Sequence, residues 1–371
     1  MAAIVAVWTV TTGGSLRAEG GCAYDGESYC AMAAGHRGAA PFNRRVLEPA
    51  LVRLLHFGSL TARFRAVDLA ALAVIAGVTG ALTRRVASAA GATPQRGSSA
   101  AVVSAAMVVM VPTMLHLALF LPVQTDLLAA ALGLTTIAAL VSNRPRAWRV
   151  APVLAALTVL TREAWILPLL AGAVAAFPDR RRPAGATAAA SVAAAAIALA
   201  QPSAGRATSD AAFAHAMLHF YLHAPGELVV VGWLALLPTG LAALLIVRAA
   251  RTPGGWSWPV RNDCAVRVCL AVAAAHLAQS VIAGSDISRI ATPASPLLWA
   301  VALGCVAGRP AMVAEPALAL AGSVVMWEPF RVLAGSTPQY LSFFMPEYVG
   351  SQAQPLGRDL MALAVVAAGW L

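Results

Sequence analysis

Long apolar runs separated by short arginine-bearing links recur along this chain, and that repetition constrains the fold more than any single motif. A helix needs about 20 apolar residues to cross the hydrocarbon core of a bilayer, where only a helix or a closed barrel satisfies its own backbone N–H and C=O groups. Runs near or somewhat below this length lie at 66–83, 100–121, 127–142, 184–200, 228–247, 268–283, 293–308, 311–327 and 360–371, with a longer one at 150–177. With 60% of 371 residues hydrophobic and 11% charged, a soluble domain could not enclose so much apolar side chain. The pattern predicts an all-α, polytopic transmembrane bundle of about 10–12 spans, forming one domain over residues 1–371. The opening stretch 1–12 is apolar but short, and reads either as a short first helix reaching Leu16 or as the remainder of a longer one. A cleaved signal peptide is the weaker alternative, since the stretch lacks a basic start.

The net charge of +10 comes wholly from arginine, since there is no lysine. Such a balance can signal nucleic-acid binding, but here the arginines sit in the links between apolar runs, which is a topology signal and not a polyanion-binding face. Arg84, Arg85 and Arg96 form one group, Arg144, Arg146 and Arg149 a second, and Arg180, Arg181 and Arg182 a third. Arg248, Arg251, Arg261 and Arg267 form the fourth. Counting spans puts all four on one side, cytoplasmic by the positive-inside rule, in a plasma (inner) membrane. The links 13–65, 203–227, 285–292 and 328–359 then face outward.

The first outer link holds most of the polar chemistry. Asp25 and Glu27 flank Gly26, so they do not face one way on a helix but can converge in a turn. A carboxylate there could accept a proton from a hydroxyl, and the alternative is a solvated, Asx-capped turn. Tyr24 and Tyr29 bracket the pair as sugar-stacking or hydrogen-bonding groups, and Arg44 and Arg45 follow in the same link. Asp25 with Glu27 could also hold a divalent ion. Cys22 and Cys30 share the link and could pair as a disulfide, while Cys264, Cys269 and Cys305 read as small packing residues. From Arg45 to His56, the residues Val46, Leu47, Ala50, Leu51, Leu54 and Leu55 make one apolar face, with Glu48, Arg53 and His56 toward polar surroundings. That is the pattern of a helix lying flat at the membrane interface.

Further along, Arg162 and Glu163 interrupt the 150–177 run, which predicts two short helices meeting at the charges. Either the two charges pair with each other, or Arg162 offers its rigid fork of donors to a phosphate while Glu163 orients it. Asp286 and Arg289 form a comparable set, as an interfacial pair or a phosphate contact, and Asp126 at the head of its run reads as an N-cap. His215, His219 and His223 recur one turn apart, open to metal binding, substrate contact or an interfacial amphipathic helix.

The order of Tyr24-Asp25-Gly26-x-x-Tyr29, Pro41-Phe42-x-Arg44-Arg45-x-Leu47-x-Pro49, Gln124-Thr125-Asp126, Leu160-Thr161-Arg162-Glu163 and Ser285-Asp286-Ile287-Ser288-Arg289 resembles the bacterial type C glycosyltransferase superfamily. The resemblance spreads over roughly residues 1–300. It implies an integral-membrane glycosyltransferase that moves a sugar from a polyprenyl-phosphate carrier to a cell-envelope glycan, lipid or protein acceptor at the outer face. It also implies Asp25 as general base with Glu27 completing an Asp-x-Glu variant. Arg162, helped by Arg289, Arg44 or Arg45, would hold the carrier phosphate, with Glu163, Asp126, Asp286, Tyr24 and Tyr29 as further substrate contacts. The competing expectation is a multi-span transporter or flippase for a lipid-linked or anionic substrate, in which the same arginines line a path.

Overall fold

The computed structural model describes residues 22, 25–109, 111, 114, 118, 123–202, 222, 239–251, 260, 262–282 and 290–308. Among these the chain is all-helical, with no strand. The helices are α1 (Asp25–Ala33), α2 (Leu47–Leu54), α3 (Leu60–Ala89), α4 (Pro94–Val109), α5 (Asp126–Val141) and α6 (Pro145–Thr161). After them come α7 (Ile166–Ala176), α8 (Arg181–Leu199), α9 (Ala242–Arg251), α10 (Cys264–Ile282) and α11 (Ala294–Ala307). Short 3-10 turns at Phe42–Arg44 and Glu163–Trp165 join α1 to α2 and α6 to α7. The runs expected at 311–327 and 360–371, and most of 228–247, lie outside the described residues.

Local chemistry sets the boundaries. Ser59 caps α3, its Oγ accepting from the Ala62 N–H at 3.2 Å, and Pro145 occupies the first turn of α6, where a missing N–H costs nothing. Hydroxyls inside the apolar helices bond back to the preceding turn, as Thr79 does to Ile75 O and Thr158 to Leu154 O, both at 2.7 Å. The 150–177 run breaks where its charges are: α6 ends at Thr161, Arg162 is extended (φ −156°, ψ 113°), and α7 resumes after the turn.

Successive helices run between two ends. At one end Arg85 donates to Asp263 at 3.0 Å, Arg267 pairs with Asp179, and Arg180 donates to Asn143 at 3.1 Å while lying over the Trp148 ring. The arginine-bearing links before α6, before α8 and before α10 therefore meet one another and the C-terminal part of α3. The other end gathers α1, α2, the start of α5 and the α6–α7 break, and Asn43 there donates to the carbonyls of Gln201 and Pro202 at the end of α8.

Between the ends lies one apolar core in which α3 packs on α4, α5 and α11, α6 packs on α5 and α8, and α7 packs on α8 and α10. A Cβ at Gly304 would collide with Val86, so glycine is what lets α11 approach α3 this closely. Exposed valines and leucines stud the outside, among them Val74, Val102, Val153, Leu167, Val174, Val192 and Leu199, while Arg45, Glu48, Asp68, Asp126 and Arg162 are buried. Among the described residues two helices, Leu60–Ala89 and Arg181–Leu199, are long and apolar enough to cross a membrane, and four shorter apolar helices accompany them.

Candidate functional site

The site is built from the first link outward. Asp25 and Glu27 do not sit in a turn around Gly26; they occupy the first turn of α1, where carboxylates complement the helix dipole. Two residues apart on a helix they point about 200° away from each other. Asp25 is half-buried and Glu27 is exposed. Gly26 faces Val123, where a Cβ would come within 3.2 Å of the valine side chain, so the helix can rest against the link before α5. The Cys22–Cys30 disulfide ties the chain just ahead of α1 to the body of the helix. One turn after Asp25, Tyr29 is fully buried, edge-on to Phe42 with ring centroids 5.7 Å apart, in a small core with Val52, Phe64 and Val123.

Arg45 joins distant pieces of chain. Its Nη1 donates to the Tyr29 hydroxyl at 2.6 Å, its Nη2 to Glu163 Oε1 at 2.7 Å and its Nε to Glu163 Oε2 at 2.9 Å, a fork-to-fork arrangement. The guanidinium also lies 5.4 Å from the Phe42 ring centre. Burial opposes the charge on Arg45, but Glu163 and Tyr29 outweigh it and hold the guanidinium further up than usual. Burial pushes the Tyr29 phenol up as well, against the pull of Arg45.

The sequence reading paired Glu163 with Arg162. The structure gives Glu163 to Arg45 instead and pairs Arg162 with Asp126 at the head of α5. Asp126 is thus the first helical residue and an ion-pair partner, with Thr125 in the N-cap position. Beside this pair a small pocket opens, lined by Asp126, Arg162, Ala164, Trp165, His276, Ile290 and Pro293. Trp165 packs so closely on Gly133 that no Cβ fits there, and its ring meets His276 edge-on at 4.3 Å.

Two residues depart from their expected surroundings. Glu48 is fully buried with Pro49 and Val52, whereas Leu51 and Leu54 point out, 37% and 69% exposed. The helix over Leu47–Leu54 forms as expected, but its acidic residue turns inward. Burial, then the nearby charge of Asp126, pushes the Glu48 carboxyl well above its usual range. Asp68, one turn into the buried face of α3 from Phe64, is also buried, and neither carboxyl has a hydrogen-bond partner among the described residues.

Of the residues singled out from sequence, Asp25, Tyr29, Arg45, Asp126, Arg162 and Glu163 come together at one end of the bundle. Arg44 is half-buried in its 3-10 turn beside them, and Glu27 faces away. Tyr24, Asp286, Arg289, His215, His219 and His223 lie outside the described residues. Among the described residues no group of three His, Cys, Asp or Glu is arranged to hold a metal ion. Sequence reasoning missed Glu48, Asp68 and His276 as parts of this region. For Asp68 and His276 the available signal was a titratable residue inside an apolar run. Comparison with family models, with curated proteins and with solved structures finds no match to this chain.

Proposed function

We propose that the chain is a multi-pass glycosyltransferase of a plasma (inner) membrane, moving a sugar from a polyprenyl-phosphate carrier to an envelope acceptor at the extracytoplasmic face. One observation carries the reading. Four stretches read as motifs from sequence alone, around residues 25–29, 42–49, 124–126 and 161–163, meet in a single buried polar site at the end of the bundle away from the arginine links. The exposed leucines of α2 and the apolar outside of the bundle suit a lipid surround, and the arginine end suits the cytoplasmic side.

On this reading Asp25, half-buried at the edge of the site, takes the proton of an acceptor hydroxyl. The acceptor oxygen attacks the anomeric carbon, the bond from that carbon to the carrier phosphate breaks, and polyprenyl phosphate leaves with the electron pair, inverting the centre. Arg162 holds the phosphate end, its fork oriented by Asp126, which takes the place first given to Glu163. Arg45, engaged by Glu163 and Tyr29, is a positioning residue that fixes α1 against the α6–α7 break.

Purified protein incubated with radiolabelled polyprenyl-phosphate sugars and envelope extract is expected to form labelled product. Asp25→Asn is expected to abolish transfer, by about 100-fold or more for loss of a general base, while carrier binding persists. Near-normal turnover of that variant removes Asp25 as the base.

A transporter remains the second reading because the buried carboxyls of Glu48 and Asp68, without hydrogen-bond partners among the described residues, are suited to carrying a proton. Product formation by detergent-solubilised protein, with no gradient present, decides against it.

A further inference from the structure

We propose that Glu48 and Asp68 form a carboxyl pair that shares one exchangeable proton, and that this proton latches α2, which caps one end of the bundle, onto α3. The latch is a property of the fold and does not rest on the glycosyl-transfer reading.

Helix spacing brings the two carboxyls to one level. The link 55–59 joins α2 to α3, and the two helices pack together, with Val52 and Phe64 in one small core. Counted outward from that link, Glu48 stands one turn beyond Val52 on the buried face of α2, and Asp68 one turn beyond Phe64 on that of α3. Glu48 is 0% exposed and Asp68 1%, and their four carboxyl oxygens have no hydrogen-bond partner among the described residues. The charge of Glu48 acts directly on Asp68. Buried polar atoms are ordinarily bonded, and a proton held between the two groups bonds both.

The surrounding charges favour that proton. Asp126 at the head of α5 repels both carboxylates, and its own partner is Arg162 from the α6–α7 break. Arg65, three residues before Asp68 on α3, attracts Asp68. From α1, Asp25 acts on Arg45, which Glu163 and Tyr29 already hold, and Arg53 of α2 itself is exposed against Gly35. Attraction to Arg65 does not offset two buried carboxylates beside a third, so the pair keeps a proton. The O–H of one group then donates to a carboxylate oxygen of the other, a charge-assisted bond of the stronger kind. When the proton passes to water, two like charges face each other across the α2–α3 contact. Because α3 is anchored by α4, α5 and α11, whereas α2 has eight residues and packs mainly on α1, α3 and α6, α2 is the part that yields.

The test follows the purified full chain in detergent by two measurements, the infrared absorption of protonated carboxyl groups and the hydrogen–deuterium exchange of the α2 amides. At neutral pH the native chain is expected to show a protonated-carboxyl band. As pH is raised until that band is lost, exchange in α2 is expected to rise about tenfold or more above that of Glu48→Gln at the same pH, the loss of one charge-assisted hydrogen bond. Glu48→Gln and Asp68→Asn each leave an amide N–H to donate to the remaining carboxylate, so both are expected to lack the band and to keep α2 protected throughout. Should Glu48→Gln not fold, Asp68→Asn serves as the reference. Absence of the band from the native chain at neutral pH overturns the pair. A band that survives in either amide variant shows a carboxyl holding a proton of its own and overturns the sharing. In the native chain alone, loss of the band with no faster exchange in α2 than in α3 overturns the latch, as does one pH course of α2 exchange in the native chain and a folded amide variant.

Discussion

Arg45 offers the most demanding test of the site, because one side chain closes three contacts between segments 16 and 118 residues apart in sequence. Arg45 is 8% exposed and the Glu163 side chain 26%. Removing one member of a buried ion pair costs about 3–5 kcal/mol, because the partner is left desolvated without compensation. Water can reach part of Glu163, so Arg45→Met is expected at the lower end, about 3 kcal/mol. Glu163→Met strands the more deeply buried guanidinium without its carboxylate partner, at about 3–4 kcal/mol. The double variant replaces the pair by side chains of similar length and leaves no stranded charge, so it is expected to cost no more than about 1–2 kcal/mol. Tyr29→Phe removes one charge-assisted bond, worth about 1.5 kcal/mol alone and close to nothing when Arg45 is already Met. Unfolding of each variant in mixed micelles, followed by far-ultraviolet circular dichroism, gives the four corners of the cycle. Singles that add in the double variant to within about 0.5 kcal/mol would refute the network.

Three further outcomes follow from the same structure. Single cysteines placed at exposed positions 27, 84, 144 and 181 are expected to label with an impermeant maleimide from opposite faces of the membrane, 27 from outside and the others from inside; labelling of 27 and 84 from one face overturns the orientation. Gly133→Ala drives a Cβ into the Trp165 ring and is expected to lower stability by about 1–3 kcal/mol, with Trp165→Leu in the same chain recovering part of it; an unchanged unfolding midpoint would show that the ring moves freely. Glu48 has a folded carboxyl held well above its usual 4.5, so the native state keeps a proton that the unfolded chain releases above that pH. Stability should therefore fall as pH rises from about 4.5 toward neutrality, by up to about 1.4 kcal/mol per pH unit, and Glu48→Gln should remove its share of the slope; equal slopes in both chains count against the buried acid.

Much of the arrangement could be read from residue order. The break of the 150–177 run at Arg162 was visible because two adjacent charges cannot continue an apolar helix without a cavity or partners. The grouping of the arginine links at one end followed from counting runs, and the structure brings Arg85, Arg180 and Arg267 together there. Partner choice was not legible. Arg162 and Glu163 are neighbours in sequence, yet the extended backbone at Arg162 sends their side chains to different partners, Asp126 and Arg45. That outcome depends on which helices lie side by side, and no local pattern encodes it.

The remaining misreading has a single physical source. Glu48 was placed outward because, beside water, the polar face of an amphipathic helix is the solvated one. The structure instead turns Leu51 and Leu54 out and Glu48 in, the phase expected when the surrounding medium is apolar and the protein interior is the only place for a carboxyl. Asp68 in α3 and His276 in α10 obey the same inverted rule, each a polar residue within an apolar stretch of helix and each buried. Applied to the sequence, that rule turns all three toward the interior shared by Arg162 and Asp126. The link that carries Asp25 and Glu48 is then less a water-exposed loop carrying a catalytic turn than a cap whose polar side faces the bundle and whose leucines face away. Such a cap explains how Asp25 can stand at the edge of a buried site while the next acidic residue, Glu27, two positions on, remains outside it.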